Sequence, residues 1–94
     1  MNELIDRFLQ YIYHRHSQSE KTVDAYRRDL FQFRDYLLSQ GIESFEEVDR
    51  LVFMEFLASC RELPDGRVAK NATIARKLST YRSFYHYLNE YIGI

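Results

Sequence analysis

The chain has 94 residues and a net charge of −1, and 46% of its residues are hydrophobic, so we expect residues 1–94 to form a single small domain rather than a disordered tail. It shows no signal-peptide pattern and no apolar run of the roughly 20 residues that cross a membrane, which predicts no membrane association. The single cysteine, Cys60, cannot form an internal disulfide, and no Cys/His spacing suits a metal, so we expect a cytoplasmic protein without a metal site.

Apolar residues at helical spacing, together with capping and stop residues, predict two long helices in the first part of the chain. The first, at about 3–16, repeats apolar residues at helical spacing after Asn2, which is a candidate N-cap. The second, at about 20–40, follows Ser19 as its candidate N-cap and stops before Gly41.

The remaining two predicted helices are separated by a polar turn with Pro-Asp-Gly chemistry. The third, at about 50–61, begins after Asp49 and is apolar almost all round, so we expect it to be the most buried. The fourth, at about 72–91, has Asn71 as its candidate cap. No strand-like alternation competes with these helices. The sequence therefore predicts an all-α, compact four-helix bundle.

The fourth predicted helix has a basic outer face. An apolar stripe at helical spacing, expected to face the core, contains Ile74, Leu78, Tyr81, Tyr85, Leu88 and Ile92. The opposite side then holds Ala72, Arg76, Ser79, Thr80 and Ser83, with Lys77 and Arg82 at the two edges of the stripe. On composition alone a solvated surface is the commoner explanation. However, residues 71–88 contain no acid, whereas solvated helices usually mix acids with bases, and this favours a polyanionic ligand.

The second predicted helix has a weaker basic face, formed by Lys21, Arg28 and Gln32. Thr22 lies in its first turn, where free backbone N–H groups favour anions. Because acids lie nearby on the same helix, a mixed surface with local ion pairs is the preferred interpretation of this face when it is considered without the fourth helix. Acids are concentrated elsewhere, in residues 43–65.

Catalytic chemistry is not predicted. The chain has eight tyrosines, but Tyr26, Tyr81 and Tyr85 lie on core stripes, where packing is the simpler role. No paired carboxylates and no nucleophile with an activating base occur at a recognisable spacing.

Two blocks of the sequence resemble the N-terminal core-binding domain of tyrosine recombinases, the family of Xer recombinases and phage integrases. The block SEKTVDAYRRDLFQFRDYL matches the family pattern at Ser19, Thr22, Tyr26, Asp29, Leu30 and Phe33. The block NATIARKLSTYRSFYHYL matches it at Arg76, Leu78, Ser79, Arg82, Phe84, Tyr85 and Leu88. The resemblance covers nearly the whole chain.

The resemblance implies a SAM-like four-helix domain that lies on one side of duplex DNA at a recombination core site. Its second and fourth helices would cross the major groove. By position, the DNA-facing residues would be Lys21, Thr22, Arg27, Arg28, Asn71, Thr73, Arg76, Lys77, Ser79 and Arg82. Lys77 and Arg82 would either reach phosphates or pair within the domain. Asp29 is expected to be a structural partner for a nearby cation or helix end.

The resemblance also implies that the chemistry belongs to a separate C-terminal domain, which cuts and rejoins DNA through a phosphotyrosine without a cofactor. This chain has no His-x-x-Arg motif, so we do not expect it to be an enzyme by itself. No arm-type DNA-binding segment precedes the first helix, which favours a simple Xer-like architecture.

The partners implied are double-stranded DNA and, for the full-length protein, other recombinase subunits in a synaptic tetramer. The isolated domain is expected to be monomeric and, because its net charge is slightly negative, to bind DNA weakly and in a salt-sensitive way. The alternative is a helical protein–protein interaction domain without direct DNA contact. The two are not exclusive.

Overall fold

The computed structural model describes residues 1–15 and 17–94, and the predicted end of the first helix at His16 lies outside the described residues. That part of the chain is built from four α-helices: α1 (Asn2–Arg15), α2 (Glu20–Ser39), α3 (Arg50–Cys60) and α4 (Asn71–Tyr87). A 3-10 turn (Phe45–Glu47) precedes α3, and a π-helical turn (Leu88–Ile92) extends α4. The predicted all-α, four-helix fold is confirmed. None of the described helices combines the length and the apolar content needed to cross a bilayer.

Two predicted helix caps are confirmed. The backbone N–H of Thr22 donates to Ser19 Oγ at 3.2 Å at the start of α2, and that of Val52 donates to Asp49 Oδ1 at 2.9 Å at the start of α3. Gly41 follows α2 with a φ of 76°, a left-handed conformation that favours glycine. These local signals set the ends of α2 and the start of α3.

The other two predicted caps are wrong. Asn71 is the first residue of α4, the N-cap position is held by Lys70, and no side chain caps this end of the helix. Asn2 lies inside α1, and its Oδ1 accepts a hydrogen bond from Arg34 Nη1 at 2.8 Å. The Asn2 side chain therefore ties α1 to α2, a partner that is far away in sequence.

Aromatic rings form the core. Phe33 of α2 lies 4.9 Å from Phe56 of α3 and 5.2 Å from Tyr81 of α4, measured between ring centroids. Phe8 of α1 lies 5.4 Å from Phe84 of α4. Each of these five side chains is at most 1% exposed. They join all four helices, and α4 takes part in both groups of contacts.

Helix α3 is less buried than the sequence suggested. Only Phe56 and Cys60 of this helix are buried, whereas Leu51 is 65% exposed and Met54 55% exposed. The prediction that α3 is the most buried helix is therefore wrong. The reason is its position: α3 packs against α2 and α4 through the side that carries Phe56, so Leu51 and Met54 on its other side stay mostly exposed within the described part of the chain.

The buried face of α4 also lies further round the helix than predicted. Thr80, which was expected on the outer side, is 1% exposed, and Phe84 and Tyr87 are buried with it. Leu78 and Tyr85, expected in the core stripe, are only half-buried. The shift arises because α4 contacts α1 through Phe84 and Tyr87, and contacts α2 through polar side chains as well as through aromatic rings.

The predicted turn between α3 and α4 is present. The Gly66 N–H donates to the Leu63 carbonyl at 2.9 Å, and the Ala69 N–H donates to the Arg61 carbonyl at 2.7 Å. Gly66 has a φ of 85°. Ala69 is buried, which anchors the turn immediately before α4 begins.

Candidate nucleic-acid interface

A buried carboxylate joins α2 to α4. The Asp29 side chain is only 3% exposed, yet it lies among polar partners. The hydroxyl of Thr80 donates to Asp29 Oδ2 at 3.3 Å, and the hydroxyl of Tyr81 donates to the Asp29 backbone carbonyl at 3.2 Å. The prediction that Asp29 is a structural partner is confirmed, and it explains why Thr80 faces inward.

Two cations of α4 complete the network around Asp29. The guanidinium of Arg76 donates from Nη1 to Oδ2, and from Nη2 to Oδ1 at 3.3 Å. The ammonium of Lys77 donates to Asp29 Oδ1 at 2.9 Å and to Gln32 Oε1 at 2.6 Å. The Lys77 side chain is 13% exposed and that of Arg76 is 50% exposed. Of the two fates predicted for Lys77, the structure shows pairing within the domain.

This network leaves no buried side-chain polar atom without a partner among the described residues. Such pairing matters because an unpaired ion in a dry interior is costly, and removing one member of a buried pair typically destabilises a protein by about 3–5 kcal/mol. The polar network therefore fixes how α2 and α4 are aligned with each other, in addition to the apolar packing between them.

A shallow surface groove of about 150 Å³ runs between α2 and α4 beside this network. It is lined by Thr22, Ala25 and Tyr26 from α2 and by Arg76, Ser79 and Thr80 from α4. Thr22 therefore lies together with Arg76 and Ser79, two candidate residues that are more than 50 positions away from it in sequence. The small side chains of Ala25 and Ser79 leave the groove open.

The exposed edge of α2 nearest to α4 is basic. Lys21 and Arg28 are exposed and lie two turns apart on one face of the helix. One further turn along the same face is Gln32, which contacts Lys77 of α4. Within residues 1–15 and 17–94, neither Lys21 nor Arg28 forms a side-chain hydrogen bond or an ion pair. Both cations are thus available to a ligand.

Arg27 lies elsewhere on α2. Its guanidinium pairs with Asp24, and it lines a different surface hollow, shared with Gln10 and Tyr13 of α1. The structure therefore separates Arg27 from the groove that contains Thr22 and Arg76.

The remaining candidates of α4 differ in exposure. Asn71 and Ser79 are exposed and Thr73 is half-buried in the first turn. Arg82 is exposed and lines a hollow beside α1 that also contains Tyr11 and His86. Because the buried face of α4 is displaced, Arg82 lies well out on the solvent side rather than at the edge of the core stripe.

Lys70 is a cation that the candidate set omits. It is exposed and occupies the N-cap position of α4, an end that no side chain caps. Backbone N–H groups at such an end are unpaired within the helix and attract anions. The signal for this cation in the sequence is a lysine directly before the helix start, at the position that the predicted Asn71 cap places outside the helix.

The core tyrosines of α4 have structural partners. Tyr81 donates to the Asp29 carbonyl and Tyr85 donates to the Phe45 carbonyl at 3.1 Å. Burial raises the pKa of both phenols above the ordinary value, so they stay protonated at an alkaline pH that ionises an ordinary tyrosine. Burial likewise raises the pKa of the Cys60 thiol. These contacts agree with the packing role expected for Tyr81 and Tyr85.

Comparison with known proteins decides the family. A family model described as "Phage integrase, N-terminal SAM-like domain" matches residues 5–90. The chain belongs to this family. The resemblance of the two sequence blocks is thereby confirmed, including the SAM-like fold that it implied.

Relatives of this domain are full-length recombinases. Tyrosine recombinase XerD of Staphylococcus epidermidis is 34% identical over 87 residues, which are 93% of this chain and 28% of the relative. Tyrosine recombinase XerC of Listeria monocytogenes is 35% identical over 86 residues, which are 92% of this chain and 27% of the relative. The chain thus spans little more than a quarter of the length of the curated relatives it matches. No solved structure matches it.

Proposed function

We propose that this domain binds duplex DNA through a surface formed by α2 and α4, which we call the basic face. It comprises Lys21, Thr22, Arg28, Lys70, Asn71, Thr73, Arg76, Ser79 and Arg82. The observation that supports the proposal best is the groove in which Thr22 of α2 lies beside Arg76 and Ser79 of α4. Residues that the family resemblance assigned to DNA from two separate blocks are neighbours there.

The chemistry of the basic face suits the DNA backbone. Arginine presents a planar fork of N–H donors to phosphate oxygens, and serine and threonine hydroxyls are common phosphate and base-edge contacts. The uncapped start of α4 adds backbone N–H groups next to Lys70. Asp29, which lies in the α2–α4 contact, is buried and paired with two cations, so it repels a phosphate little.

Two candidates take different roles in this proposal. Lys77 acts from inside the domain, because its ammonium is held by Asp29 and Gln32, and it supports the basic face without touching DNA. Arg27 would contact DNA only if the interface continues around α2 toward α1.

We also infer the role of the full-length protein from its relatives. Those relatives are tyrosine recombinases, and this chain spans about 28% of their length. The parent protein would therefore be a site-specific recombinase that cuts and rejoins DNA through a phosphotyrosine formed outside this domain, without a cofactor. It would act in the cytoplasm with other recombinase subunits in a synaptic tetramer, whereas the isolated domain would be monomeric.

DNA binding is tested first by its salt dependence. A fluorescein-labelled duplex of about 30 base pairs and mixed sequence is titrated with the domain, and anisotropy is followed between about 50 and 200 mM salt. If about five phosphates are contacted, the slope of log K against log salt is expected to be roughly −4 to −5. Absence of binding at low salt, or a flat salt response, contradicts the proposal.

The site is tested by matched arginine variants. Arg76→Ala is expected to weaken binding about tenfold, because a hydrogen-bonded charge contact is removed. Arg7→Ala is the control: Arg7 is an exposed arginine of α1 that pairs with Glu3 of the same helix, and its loss should leave binding unchanged. Arg27→Ala then reports whether the interface reaches the α1 side of α2. Equal losses for Arg76→Ala and Arg7→Ala would indicate nonspecific charge attraction instead of a defined face.

A second function is supported by the apolar surface of α3, where Leu51 and Met54 are both more than half exposed. Exposed apolar side chains within the acid-rich residues 43–65 suit a protein partner. Amide shifts in an NMR titration with the same duplex separate the two functions. Shifts on α2 and α4 support DNA binding, whereas shifts confined to 43–65, or no shifts, favour the protein-interaction domain.

A further inference from the structure

Asp29 is shared by two cations that differ sharply in exposure. Lys77 is 13% exposed at its side chain and also bonds Gln32, so it belongs to the interior of the α2–α4 contact. Arg76 is 50% exposed and opens into the groove beside Thr22 and Ser79. One carboxylate therefore connects the inside of the domain to the proposed DNA-binding surface.

The carboxylate does not depend on Arg76 for its pairing. Lys77 donates to Oδ1 at 2.9 Å. The Thr80 hydroxyl lies 3.3 Å from both Oδ2 and the Arg76 backbone carbonyl, so its single hydrogen can turn to Oδ2 when Arg76 leaves it. If Arg76 shifted toward a ligand, no buried charge would be left unpaired. Loss of Lys77 would be different, because it is the less exposed of the two charges.

The guanidinium, in turn, is only partly used by Asp29. Arginine has five N–H donors in a rigid plane, and two of its nitrogens, Nη1 and Nη2, face the carboxylate. The remaining donors are free for a phosphate. A side chain that is already held in place loses less conformational entropy when a ligand binds, which strengthens binding.

We propose that Asp29 is a positioning residue: it holds the Arg76 guanidinium ready in the groove for a DNA phosphate, while Lys77 serves as its permanent counter-ion. This inference rests on the proposed function, since it requires that the half-exposed Arg76 binds DNA. The opposite effect is also physically reasonable, because a carboxylate beside Arg76 lowers the local positive charge. The experiments below separate positioning from neutralisation.

The first experiment needs no DNA. The order parameter of the Arg76 Nε–Hε group is measured by 15N relaxation in the wild-type domain and in Asp29→Asn, with Arg7 as the exposed control. Positioning predicts an Arg76 group that is clearly more ordered than Arg7 in the wild type and as mobile as Arg7 in Asp29→Asn. Equal mobility of Arg76 in the two proteins would overturn the inference.

The second experiment is a double-mutant cycle on DNA affinity, measured with the same labelled duplex. Asp29→Asn alone is expected to weaken binding about fivefold to tenfold, close to the effect of Arg76→Ala. In the Arg76→Ala background it should add nothing, because Asp29 acts through Arg76. Tighter binding by Asp29→Asn would show neutralisation, and equal losses in both backgrounds would show a general structural role; either result overturns positioning.

A further variant covers the case in which Asp29→Asn does not fold. Arg76→Lys keeps the charge but cannot make the two-nitrogen contact with Asp29, so its binding should fall nearly to that of Arg76→Ala. Wild-type affinity in Arg76→Lys would overturn the inference. Failure of the wild-type domain to bind DNA, together with an ordered Arg76 that Asp29→Asn loosens, would instead overturn the proposed function and support the positioning by Asp29.

Discussion

Helices α3 and α4 differ in which side chains are buried: α4 buries polar side chains, whereas α3 leaves apolar side chains exposed. Against α2, α4 buries Thr80 and most of Lys77 around the carboxylate of Asp29. Helix α3, although far more apolar, leaves Leu51 and Met54 more than half exposed. The contrast shows that burial in this domain depends on which element lies opposite a residue.

The physical basis of the contrast is pairing. A polar group can enter the interior when a partner satisfies it, and Asp29 supplies that partner to three side chains of α4. An apolar residue gains from burial only where another surface removes water from it. Helix α3 has such a surface on the side of Phe56 and lacks one on the side of Leu51.

The largest expected effect tests the apolar half of this contrast. Phe56→Ala should lower the free energy of unfolding by about 4 kcal/mol, because it removes a buried ring that contacts Phe33 and Tyr81. Leu51→Ala, on the exposed side of the same helix, should change it by less than about 0.5 kcal/mol. Urea denaturation measures both. Similar losses for the two variants would mean that the exposed side of α3 is covered in solution.

The next effect tests the polar half. Asp29→Ala should destabilise the domain by about 3 kcal/mol, since it leaves Lys77 buried without its counter-ion. The control is Asp24→Ala, which removes the exposed partner of Arg27 and should cost less than about 1 kcal/mol. The same urea experiment applies. A loss for Asp29→Ala no larger than for Asp24→Ala would show that the network does not contribute to the stability of the domain.

The smallest effect concerns the pH dependence at the centre of the α2–α4 contact. Burial raises the pKa of Tyr81 above the ordinary tyrosine value of about 10, so the folded state keeps a proton that the unfolded state releases. Stability from this group is therefore complete below about pH 10 and falls above it, by at most about 1.4 kcal/mol per pH unit.

Thermal unfolding followed between about pH 8 and 11 measures this dependence. Tyr81→Phe should reduce the fall in stability above pH 10, whereas Tyr13→Phe, at an exposed residue of α1, should retain it. An unchanged slope in Tyr81→Phe would contradict the assignment to this buried phenol.

The sequence by itself determined the local features of the domain. The four helices, the caps at Ser19 and Asp49, the turn at Gly66 and the family resemblance all depend on residues within a few positions of one another or on the order of two blocks. Such signals act over one helical turn, where the backbone itself brings the groups together. The composition of the α4 surface, which is basic and free of acid, can likewise be read from neighbouring residues in the sequence.

The tertiary structure alone decided which side chains meet. Asp29 and Lys77 are 48 residues apart in sequence. The periodicity within α4 cannot show that Thr80 and Lys77 both form hydrogen bonds with a buried carboxylate of α2. Contacts between distant residues also explain why Asn2 bonds to Arg34 instead of capping α1. The absence of a packing partner on one side explains why Leu51 and Met54 of α3 are exposed within the described residues. Hydrophobic pattern tells which face of a helix prefers to be buried, but the neighbouring helix decides which residues can be buried, because it supplies both the surface that excludes water and the groups that satisfy charge.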